Sequence, residues 1–142
     1  MDSIKAEIQA MIDKETAAWN NKDAESLASL FHPDMVWPWP PDATSHDPVH
    51  WVFPFGRYNR QRWKQQWEDL FRSHDLVHNH RSTVRIVISD QGDGAFAVVD
   101  VDTLWRNRST GELYHWKDRA GKGYTRVNGR WLLIFHTGLL DY

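Results

Sequence analysis

Arg126-Val127-Asn128-Gly129-Arg130-Trp131-Leu132-Leu133-Ile134 is the stretch whose reading decides the fold. An Asn-Gly pair between two apolar runs is the strongest short hairpin signal, because a tight two-residue turn needs positive φ at both centres. Moving toward the N-terminus, Arg108-Ser109-Thr110-Gly111 and Asp90-Gln91-Gly92-Asp93-Gly94 carry the same kind of turn chemistry. These turns separate strand-like stretches at 76–89, 95–107, 113–126 and 130–139, a four-stranded meander.

Helical spacing precedes the meander. Ser3 can cap a helix with Ile4, Ile8, Met11, Ile12 and Trp19 on one stripe, and Glu15 falls on that same stripe. Asp23 caps a shorter helix carrying Leu27, Leu30 and Phe31, which Pro33 ends. Asn59 caps a third, with Trp63, Trp67, Leu70 and Phe71 along one face. Between the second and third lie residues 33–58. They hold all six prolines together with Trp37, Trp39 and Trp51, and read as an aromatic loop folded over the domain after a short strand at 35–37. Helices first and a meander afterwards predict an α+β fold with the helices on one face of an antiparallel sheet. The 142 residues fit a single domain spanning 1–142.

Composition narrows the partners. The net charge is −2 and no basic stripe exists to neutralise phosphates, so nucleic acid is not expected. No apolar run approaches the length of a membrane span, and residues 1–10 lack the basic-then-apolar pattern of a secretion signal. The absence of cysteine removes disulfides, thiol nucleophiles and thiolate metal sites, and fits a cytoplasmic protein. Nine Trp, six Phe and four Tyr supply large apolar area for a core, a pocket or an interface.

The order of elements resembles the nuclear transport factor 2-like superfamily, which includes ketosteroid isomerases, SnoaL-like polyketide cyclases, limonene epoxide hydrolases and scytalone dehydratases. The matching stretches are Ala18-Trp19-Asn20-Asn21-Lys22-Asp23 through Leu30-Phe31-His32-Pro33-Asp34, then Phe55-Gly56, then Arg126 through Ile134. The resemblance implies a cone-shaped, strongly curved sheet wrapped around a long N-terminal helix, a cystatin-like roll. It also implies a small-molecule cavity between helix and sheet, and a homodimer through the sheet's outer face. Where ketosteroid isomerases carry a carboxylate base just after the first strand, this chain reads Val36-Trp37-Pro38-Trp39-Pro40, with no acid. SnoaL-like relatives often end on alternating histidines; here the last strand reads Phe135-His136-Thr137.

Strict alternation from the turns puts Asp100 opposite Arg119, Asp102 opposite Lys117 and Gly121 opposite His136. One face then carries His80, Asp100, Asp102, Arg119, Ile134 and His136, and this is the face expected to line the cavity. The other carries Val101, Trp105, Tyr124, Trp131, Leu133 and Phe135, an aromatic surface suited to a partner subunit.

The expected catalytic set is His136 as acid or base, Asp100 as its orienter, Arg119 as oxyanion partner and Glu15 as a second proton-transfer group. Cross-strand ion pairs, Asp100–Arg119 and Asp102–Lys117, explain the same charges without a ligand. Glu15 pairing with Arg119, or turning to solvent, is likewise open. Trp19, Trp37, Trp39, Trp51, His80, Asp102 and Ile134 are the expected ligand contacts, with Ile134 placed by the resemblance. His74, His78 and His80 beside Asp75 have spacing that suits imidazole ligation, but they fit a solvated strand equally, and no metal or other cofactor is assigned. The reading is a cofactor-free isomerase, cyclase or dehydratase acting by proton transfer on a small apolar or aromatic molecule. The alternative is a non-catalytic binding or dimerisation module of the same fold.

Overall fold

The computed structural model describes residues 2–36 and 58–138. Trp37, Trp39 and Trp51, with nearly all of the proline-rich loop, lie outside the described residues.

Helix α1 (Asp2–Asn20) buries Ile8, Met11, Ile12, Glu15, Ala18 and Trp19, steps of three and four residues that draw one stripe. Asp23 caps α2 (Ala24–Ser29) by accepting from the Ser26 N–H. Here the sequence reading needs correction, because α2 ends at Ser29 and Phe31 opens a strand, β1 (Phe31–Val36). Pro33 is tolerated there because β1 is an edge strand. Asn59 caps α3 (Arg60–Ser73), accepting from the Arg62 N–H at 3.0 Å, and α3 buries Trp63, Trp67 and Phe71.

Four strands follow: β2 (His74–Ile88), β3 (Gly94–Asn107), β4 (Leu113–Val127) and β5 (Arg130–His136). They form the expected meander, and β1 adds to β5 in parallel, giving the order β1-β5-β4-β3-β2. Asn128 and Gly129 have φ of 51° and 77°, the two positive values that the tight β4–β5 turn requires. No helix among the described residues is long and apolar enough to cross a membrane.

The cross-strand register agrees with the sequence reading at Asp100↔Arg119 and Asp102↔Lys117. The assignment of faces is inverted. Along β3 the buried row is Ala97, Val99, Val101, Thr103 and Trp105, while Phe96 is 42% exposed. Val101, Trp105, Tyr124, Trp131 and Leu133, expected on the outside, are the inner face. Packing area explains the inversion. Trp19 of α1 meets Trp67, Phe71, Trp105 and Trp116 edge-on, with ring centroids 5.7–6.5 Å apart. Each such pair adds about 0.5–1.5 kcal/mol beyond its buried area. A row containing Asp100 and Asp102 has nothing comparable to offer the helices.

One irregularity matters for the site. Gly123 pairs with Phe135 but Tyr124 pairs with Leu133, so Ile134 is an extra residue on β5. A bulge of one residue reverses the alternation beyond it. His136 therefore pairs with Lys122 rather than Gly121, and turns inward.

Candidate functional site

Glu15 lies in the middle of the buried stripe of α1 and is 3% exposed. A carboxylate there must be satisfied by neighbours, because water is excluded. Its Oε1 accepts from Lys122 Nζ at 2.6 Å. Its Oε2 accepts from the Trp19 indole at 3.3 Å and from Arg81 Nη1 at 3.4 Å. The pairing with Arg119 that the sequence left open does not occur. Burial alone would raise the Glu15 pKa, but Lys122 and Arg81 outweigh it and hold the group down at about 2.

Lys122 is 1% exposed and stands between two partners. Besides Glu15 it meets His136 Nε2 at 3.1 Å. An ammonium group only donates, so Nε2 is the acceptor and the imidazole proton sits on Nδ1, which donates to the Thr137 carbonyl. His136 is thus a neutral imidazole of fixed tautomer. Burial and the Lys122 charge lower its pKa to about 3. Burial also lowers the pKa of Lys122, and Glu15 works against that.

The sheet supplies the remaining members. Arg81 is directed inward from β2, pairs with Val101 in register, and donates through Nε to Asn79 Oδ1 at 2.9 Å. The same Asn79 oxygen accepts from the buried Thr103 hydroxyl at 2.8 Å. Tyr124 lies on the inner face of β4, two residues from Lys122, and its hydroxyl makes no hydrogen bond among the described residues. Burial raises its pKa well above the ordinary value, and the Glu15 charge adds to the effect. Among the described residues the Tyr124 O–H has no partner and Lys122 has two partners for its three protons, while the Trp105 indole N–H, packed on Trp19, is also unpaired.

The remaining expected site residues lie elsewhere, and these are corrections to the sequence reading. Asp100 and Arg119 bind each other through two hydrogen bonds, at 2.7 and 3.2 Å, on the outer face, where their side chains are 49% and 41% exposed. They do not meet His136 across the sheet, which separates the two. Ile134, the bulge residue, is 37% exposed. His80 is exposed and Asp102 half-buried on the outer face. Asp102 takes His78 and His115 as partners, not Lys117. Trp19 remains inside, at 2% exposure, as a packing and hydrogen-bonding neighbour of Glu15.

Lys122, Arg81 and Tyr124 were not picked out from the sequence. A signal for Lys122 existed: it alternates with Ala120 and Tyr124, and glycines flank it on both sides. A lone lysine in a small-and-apolar row of a central strand marks a buried partner. Two clefts lined by described residues lie apart from this cluster. One, of about 620 Å³, runs beside α1 and α2 and includes Lys14, Asn21 and Arg130. The other lies along β2.

No curated protein matches the chain. Several solved structures share its fold. A conserved protein from Planctomyces limnophilus is 18% identical, with a TM-score of 0.78 over 99% of this chain and 97% of that one. A candidate scytalone dehydratase from Novosphingobium aromaticivorans is 16% identical, with a TM-score of 0.69 over 96% and 86%. A ketosteroid isomerase-like protein from Erwinia carotovora atroseptica is 14% identical, with a TM-score of 0.67 over 92% and 90%. A family model described as a SnoaL-like domain matches residues 3–135, nearly the whole chain, and the chain belongs to that family.

Proposed function

We propose that the chain holds a small, largely apolar organic molecule, with an oxygen acceptor, against the buried Glu15–Lys122–His136 set. There it moves a proton on the molecule using its own side chains, as an isomerase, cyclase or dehydratase does. The observation that carries this reading is that, among the described residues, Lys122 has a third proton without a partner beside a neutral His136, with the unpaired Tyr124 hydroxyl two residues along on the same inner face of β4. Glu15 keeps Lys122 charged and aimed. Lys122 and Tyr124 receive the ligand oxygen, as fixed donors do where negative charge develops. His136 Nε2 becomes available as a base when Lys122 turns from it to that oxygen. The family and the fold are consistent with small-molecule binding and leave the reaction open.

A second reading has its own support. Both carboxylate oxygens of Glu15 and both ring nitrogens of His136 already have partners. A set so fully paired suits a module that binds without reacting. Incubating each stabilising ligand with the protein and following it by NMR separates the two, since a binding module returns the ligand unchanged.

The primary test is a thermal-shift screen of small aromatic acids and polyketide-like molecules on wild type, Y124F, K122M and R119A. Y124F removes a buried hydroxyl that has no partner among the described residues, so it costs their packing no hydrogen bond while a ligand loses a donor. K122M leaves the Glu15 carboxylate without its closest partner, at a cost of about 3–5 kcal/mol. R119A lies on the outer face and should behave as wild type. The proposal fails if no ligand raises the wild-type melting temperature, or if Y124F and wild type respond alike to every one that does.

A further inference from the structure

On the outer face, away from the Glu15 cluster, three side chains from three strands meet. His78 comes from β2, Asp102 from β3 and His115 from β4. The bulge in β2 between Leu76 and His78 sets the His78 register against Leu104, and His115 faces the same Leu104 from the other side. Asp102, two residues before Leu104, lies within reach of both rings. Nε2 of His78 is 2.8 Å and Nε2 of His115 2.7 Å from the same carboxylate oxygen, Asp102 Oδ1. The three ligand atoms all lie within 4.8 Å of one another. The His80 ring stacks on that of His78, with centroids 4.9 Å apart and planes at 18°.

We propose that His78, Asp102 and His115 form a binding site for one divalent transition-metal ion of the kind that imidazole favours. The donor set is two imidazoles and one carboxylate, which suits zinc, iron, cobalt or nickel and not magnesium or calcium. Imidazole nitrogen and carboxylate oxygen sit about 2.0–2.2 Å from such an ion, so tetrahedral ligands lie about 3.3 Å apart. The present N···O separations of 2.7 and 2.8 Å need to open by only about half an ångström. Binding exchanges two N–H···O hydrogen bonds for two N–metal bonds, with the ring protons moving to Nδ1. Three protein ligands leave a coordination position for water or an anion, the arrangement of open rather than purely structural sites. The stacked His80 ring limits how far His78 can turn and so favours the ligating orientation. The spacing of His74, His78 and His80 alone could not show this set, because His115 and Asp102 arrive from other strands.

The probe is Zn²⁺, titrated calorimetrically into untagged, EDTA-stripped protein at neutral pH, with Co²⁺ absorption to report ligand geometry. One equivalent should bind to wild type and to H74A. Affinity should fall in H78A, H115A and D102N by more than about 100-fold, the upper end of what losing a group that merely orients a ligand costs. Circular dichroism and thermal melting verify that changes at these outer-face positions leave the fold intact, and H78A/H115A repeats the comparison with both imidazoles absent. The site is disproved if wild type takes up no stoichiometric zinc, or if H78A/H115A binds it as wild type does. Neither outcome bears on the interior cluster.

Discussion

A single ring carries the clearest consequence of the buried set. His136 is neutral in the fold, with its pKa lowered to about 3 by burial and by Lys122, whereas in the unfolded chain it titrates near the ordinary 6.5. The unfolded state therefore takes up the proton first as the solution is acidified. Stability from this group is intact above about pH 6.5 and falls as pH drops toward 3, at about 1.4 kcal/mol per pH unit. Between pH 7.5 and 5 the loss should be about 2 kcal/mol, read from urea unfolding at both pH values. Glu15 adds a further loss below the ordinary carboxylate range, because its folded pKa of about 2 lies beneath its unfolded one. The groups facing His136 from the packed elements are Glu15, Lys122 and Arg81, so H136Q isolates the ring. It should be less stable than wild type at pH 7.5 and lose much less between the two pH values. An equal loss in H136Q would mean that the slope arises elsewhere. Glu15 was legible in the sequence because helical spacing alone put it on the stripe. His136 was legible as an inward residue only by accident, since the bulge at Ile134 corrected a face assignment that was otherwise inverted.

Elements were far more legible than faces. Turn chemistry marked all three hairpins, and side-chain caps at Asp23 and Asn59 marked two helix starts. Alternation gives two faces and never says which is the inner one; that is decided by the aromatic helices, which favour the row holding Trp105 and Tyr124. β1 was partly missed because Pro33 reads as a helix stop, and an edge strand also accepts it. The outer face of β4 shows what alternation does reveal. Gly121 and Gly123 leave room for the stacked rings of Phe96 and Phe135, whose centroids are 6.3 Å apart. A Cβ at Gly123 would stand 3.0 Å from Phe135 Cδ1 and 3.3 Å from its Cβ, so the near end of that side chain would have to move. A Cβ at Gly121 would meet Phe96 at its far end, Cζ, also at 3.0 Å, where the ring can swing away. G123A should accordingly cost about 1–3 kcal/mol and G121A less. Equal melting temperatures for the two variants would show that Phe135 yields as easily as Phe96.

At the scale of the whole molecule, the outer face has two different ends. Toward one lie the paired charges, Asp100–Arg119 and the His78–Asp102–His115 group. Toward the other, Phe96 is 42% and Ile134 37% exposed, with Phe135 stacked beside them. Large apolar groups left next to one another on a sheet are stabilised when a second surface removes them from water, at roughly 25 cal/mol per Å². The sequence assigned the dimer surface to the wrong row, yet the row that does face outward still offers an apolar patch, one that a second copy of the chain could cover. A homodimer through this patch predicts a mass of twice the 16.7 kDa chain by sedimentation equilibrium at micromolar concentration. EDTA should be present, so that a metal bridge between copies is not mistaken for apolar association. F96D/I134D places two carboxylates in the patch without touching the inner face. It should sediment as a monomer and keep both the ligand response and the pH dependence set by His136. A wild type that is monomeric throughout would remove the dimer. A double variant that stays dimeric would move the interface off the sheet, leaving the inward site, which depends only on α1 and the inner row, unchanged.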